Sequence, residues 1–158
     1  MSARQSVTTS IEAKMLAELR AANPGVECVG LMEVASEGVQ KEQQLTSAQV
    51  RVYGLAQASE RSDMFSASAE VRLNVEQAES VNGATFLSAH EAIALWLENL
   101  MMGAACEALD TDEAYVDGLM LTGGDKDFDT TDGVWFAIWQ ATITGRVKHN
   151  QTGEDNNG

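Results

Sequence analysis

The chain has 158 residues, a formal net charge of -14 and 44% hydrophobic residues, which suits one domain around one core. Such a negative balance argues against gripping a nucleic-acid backbone. No apolar run approaches the ~18 residues of a membrane span, and residues 1–11 lack the apolar centre of a secretory signal.

Residues 1–8 are polar and read as a flexible N-terminus. Thr9-Ser10-Ile11-Glu12 has the spacing of a capping box, with Thr9 as N-cap. Ile11, Met15, Leu16 and Leu19 continue as a helical stripe to Ala22, where Asn23-Pro24-Gly25 stops it. Val26–Ala35 reads as a strand, Ser36–Gln44 as a polar hairpin connection, and Leu45–Ala58 as a second strand.

Met64–Gln77 has the clearest pattern in the chain. Phe65, Ala67, Ala69, Val71, Leu73 and Val75 alternate with Ser66, Ser68, Glu70, Arg72, Asn74 and Glu76, as one apolar and one polar strand face require. At roughly 40 Å, twice the usual length, such a strand is expected to outrun its own core and offer backbone to a partner. Three strands joined by polar turns imply an antiparallel meander.

Ser88-Ala89-His90-Glu91 is a second capping-box spacing, opening a long helix to about Leu109. Its broad apolar surface includes Ile93, Trp96, Leu97, Leu100 and Ala104, more than one sheet face needs. Tyr115–Thr122 reads as a fourth strand and Asp125–Gly133 as an acidic turn. Val134–Val147 reads as a fifth strand, apolar on both faces over its first half. Residues 149–158 are polar and read as a disordered tail. The order of helix, three strands, long helix and two strands implies one α+β domain over residues 9–148. An antiparallel sheet with helices mainly on one face is expected.

Cys28 and Cys106 sit among apolar neighbours and read as buried free thiols, not a disulfide framework or zinc site. A reducing cytoplasm is the expected place of synthesis. Asp125, Asp127, Asp129 and Asp132 have alternate spacing that can surround calcium, but Thr130 and Phe136 stand where an EF-hand loop needs glycine and glutamate. A solvated acidic turn is the simpler reading, with no metal or cofactor. His90 and Glu91 are adjacent on a helix and so point apart. No nucleophile elbow, phosphate loop or dinucleotide fingerprint occurs, so no catalytic residue is assigned. Trp96, Trp135 and Trp139 suit a core, though on elements apolar on two faces they can anchor an interface. Phe128, an aromatic in an acidic stretch, reads as a contact residue; its removal is expected to weaken assembly and change monomer stability by less than ~0.5 kcal/mol.

The order of elements, together with Gly123–Gly145 (GGDKDFDTTDGVWFAIWQATITG), resembles the tail-terminator, or tail-completion, proteins of long-tailed phages. An aspartate-rich turn followed by tryptophan and a long closing strand is similar to that family's C-terminal part. The likeness spans roughly Thr9–Val147, without a diagnostic catalytic motif. It implies a virion protein of the tail or neck, assembled in the host cytoplasm. It also implies a ring, usually a hexamer, that caps the tail tube, joins it to head-neck proteins and lets DNA pass. The residues agree in needing partners, which points to a homo-oligomer, with neither a membrane nor sequence-specific nucleic acid as partner. Asp125, Asp127, Phe128, Asp129, Trp135, Phe136 and Trp96 are the expected contact residues. Two other classes are open. One is a small-molecule module with an apolar pocket between helix 88–109 and the sheet, lined by Trp96, Met101, Met102 and Trp139. The other is an acidic mimic of nucleic acid.

Overall fold

A computed structural model describes residues 3–30, 46–57, 62–76, 83–129 and 133–148, with side chains at 3–5 and 125–129 left out of account. The elements are α1 (Ala3–Ala22), β1 (Glu27–Gly30), β2 (Ser47–Gln57), β3 (Met64–Glu76), α2 (Gly83–Leu100), a 3-10 helix (Ala105–Leu109), β4 (Ala114–Asp129) and β5 (Val134–Val147). The chain is α+β, as its pattern implies. The five strands lie in the order β1-β2-β3-β5-β4.

The sheet is mixed, not wholly antiparallel. β1 runs parallel to β2, Glu27 opposite Ser47 and Gly30 opposite Val50. A parallel pair cannot be closed by a hairpin and needs a long connection, which the segment between Gly30 and Ser47 is long enough to supply. The expected hairpin loop at Ser36–Gln44 lies outside the described residues. The other pairs are antiparallel.

The alternation of β3 survives intact: Phe65, Ala67, Ala69, Val71, Leu73 and Val75 are all buried. Its expected spare backbone does not exist. β3 is the central strand, paired with β2 from Ser47 to Gln57 and with β5 along all its length from Met64 to Glu76. Its length matches its neighbours, and the edges of the sheet are β1 and β4.

Both α-helices start earlier than the capping boxes suggest. α1 begins at Ala3, because Val7 extends the buried stripe one turn N-terminal to Ile11, giving Val7, Ile11, Met15 and Leu19 at spacings of four. Thr9 is therefore interior. Glu12 is only 3% exposed, and its Oε1 accepts the Val52 backbone N–H at 2.9 Å. α1 stops where Asn23 takes a left-handed φ of 54° ahead of Pro24, as expected.

α2 begins at Gly83, so Ser88 is interior as well. It buries Phe86, Ala89, Ile93, Trp96, Leu97 and Leu100. The single helix expected over 88–109 is instead two pieces. Gly103, with φ 56°, turns the chain, and the 3-10 helix then drives Cys106 and Leu109 into the core. Ala104 is exposed at the break.

The acidic turn is also shorter than expected. Asp125–Asp129 belongs to β4, in register with Val134–Ile138 of β5. Its D-x-D-x-D spacing is itself the period of a strand. Residues 130–132 of the expected turn and the expected tail fall outside the described residues; Gly133 takes a φ of 67° ahead of β5.

Candidate assembly surfaces

The two layers give the sheet one covered and one open face. α1, α2 and the 3-10 helix lie on the side of Val50, Val71, Leu73, Trp139 and Ile143, forming one core. On the other side stand Arg51 and Tyr53 of β2, Glu70 and Arg72 of β3, and Phe136, Gln140 and Arg146 of β5. Their positions alternate with the buried ones.

Trp96 is 8% exposed and Trp139 9% exposed, so both belong to this chain's own core. The His90 ring lies 4.9 Å from the Trp139 ring and 5.9 Å from Phe86, in a half-buried aromatic cluster two turns into α2. Of the residues expected to line a pocket between α2 and the sheet, Trp96 and Trp139 are core and Met102 is exposed. An open depression of ≈ 300 Å³ lies elsewhere, lined by Ala56, Gln57, Met64, Phe65 and Ser66.

Trp135 faces the helices. It stacks on Phe86 with centroids 5.7 Å apart and passes Gly83 at 3.6 Å from where a Cβ would stand. It is partly buried against the core. Phe136, the next residue, is half-buried and its position falls on the open face, opposite Asn74. Phe128 is the register partner of Trp135; Asp125, Asp127 and Asp129 are those of Ile138, Phe136 and Val134. The expected contact residues are therefore brought to one end of the β4–β5 ladder, except Trp96, which lies on α2 within the core.

Two features of the surface escaped the sequence reading. The first is on α2. Leu87, Glu91, Leu95 and Glu98 follow one another at spacings of four, four and three, which aligns them along one side of α2, and Met102 follows just past its end. Leu87 is 57% exposed, Leu95 55% and Met102 65%, and both glutamates are exposed. The spacing is legible, but by sequence Leu95 and Met102 read as widening the buried stripe and Leu87 as lying ahead of the helix.

The second is the placement of the cations. Residues 83–117 contain no Lys or Arg, whereas the open sheet face carries Arg51, Arg72, Arg146 and Lys148 together with Glu70, Glu76, Asp117 and the register positions of Asp125, Asp127 and Asp129. Glu70 bridges Arg51 at 3.3 Å and Arg72 at 3.7 Å. Arg51 lies over the Tyr53 ring at 4.1 Å, and Arg146 and Lys148 lie over Tyr115 at 5.2 and 4.5 Å.

Among the described residues no cluster of His, Cys, Asp and Glu could hold a metal ion, and no helix is long and apolar enough to cross a membrane. Both cysteines are free and buried. Burial raises the Cys28 thiol pKa, partly offset by Arg20. Burial likewise raises that of Cys106, with Asp117, Glu107 and Asp110 adding to the rise.

Neither a family model nor a curated protein matches this sequence. A solved structure does, a chain described as "Virion of native gene transfer agent (GTA) particle". The TM-score is 0.56 at 12% identity, over 90% of this chain and 94% of that chain. The likeness is one of fold. It covers both layers and nearly the full length of each chain, and at this identity it carries no residue roles across.

Proposed function

We propose that this chain is a non-enzymatic structural component of a phage-like virion, and within it a tail terminator. In this reading copies form a ring, a hexamer as in the family its sequence resembles. The ring ends growth of the tail tube, presents a surface to the head-neck proteins and leaves an opening for DNA. The observation that carries the reading is the fold shared, over 90% of this chain, with a chain of a gene transfer agent virion. The element order and the closing segment Gly123–Gly145 support it independently.

The charge fits the same role. A lumen of net negative sign does not hold the DNA that passes it. Asp125, Asp127, Phe128, Asp129, Trp135 and Phe136 at the end of the β4–β5 ladder are the proposed contacts with subunits or neck partners, with Trp96 in the core beneath. The protein would reside in the virion tail or neck after assembly in the host cytoplasm. It would bind no membrane and no specific nucleic-acid sequence.

The test is addition of the purified protein to polymerising tail-tube subunits, read by electron microscopy. A terminator shortens the tubes in proportion to its concentration and appears as a cap at one end. Tubes of unchanged length, with no density at either end, would exclude the terminator role.

A further inference from the structure

We draw no further inference here: the strongest candidate, the exposed side of α2 where Leu87 and Leu95 alternate with Glu91 and Glu98 and lead to Met102, is an unpartnered surface patch, and nothing in the structure shows what covers it.

Discussion

The Glu12 carboxylate of α1 accepts the backbone N–H of Val52 on β2 at 2.9 Å, in a site closed to solvent. Among the described residues β1 pairs with β2 as far as Val50, and Glu12 meets β2 two residues further on. Its other oxygen lies 3.3 Å from where a Cβ on Gly30 would stand, so the strand can come close only without a side chain. The Glu12 side chain is thus part of the join between helix and sheet. Glu12→Ala strands a buried donor and is expected to cost about 2 kcal/mol, within the range for leaving a buried hydrogen-bonding group unsatisfied. Glu12→Gln keeps an acceptor and is expected to cost less than half of that. Urea unfolding of the two variants checks the order; equal stability of wild type and Glu12→Ala would refute the role.

Neighbouring residues on α2 are expected to respond in opposite ways. Trp96 is core, so Trp96→Ala should cost about 3–5 kcal/mol of monomer stability. Leu95 is exposed, so Leu95→Ala should change stability by less than ~0.5 kcal/mol. Thermal unfolding separates the two, and equal losses would contradict the placement of Trp96 in the core.

Gly145 of β5 lies opposite Phe65 of β3. A Cβ there would meet the Tyr115 carbonyl, and the Phe65 ring at 3.0 Å. Gly145→Ala is therefore expected to destabilise by about 1–3 kcal/mol, the scale of overpacking. Adding Phe65→Ala should not restore stability, because the Tyr115 obstacle is backbone and cannot rotate away. Recovery in the double variant, measured by denaturant unfolding, would place the clash on the ring alone.

Much of this architecture was legible beforehand, and the misses have physical causes. The period-two pattern of β3 and the Asn23-Pro24-Gly25 stop were read correctly because each is local. The capping boxes at Thr9 and Ser88 misled because a buried stripe extends each helix further: Val7 and Phe86 outweigh a few tenths to ~1 kcal/mol of capping. Direction of pairing is not local, and nothing in Val26–Ala35 marks β1 as parallel. Asp125–Asp129 reads as a turn on composition although its spacing is that of a strand. The open sheet face was harder to see, since it unites charged residues from β2, β3 and β5 that lie far apart in the chain.

The thiols offer a check on the packed side of the sheet. Burial raises both thiol pKa values, so native protein at neutral pH should react very slowly with a thiol-disulfide reagent, and both cysteines should react once unfolded. A thiol whose folded pKa exceeds its unfolded value stabilises fully below the unfolded value and loses that contribution as pH rises through the folded one. Stability should accordingly fall in alkaline solution above the ordinary thiol value of 9.0. Replacing both cysteines with alanine should flatten that part of the pH profile.

The central claim is that copies of this chain join to build part of a virion. Electron microscopy of the purified full-length protein, at concentrations where mass photometry detects self-association, tests it most directly. The account predicts closed rings of uniform size with a central opening. A particle that remains a single copy at every concentration, and stays so in the presence of tail-tube and neck proteins, would contradict it.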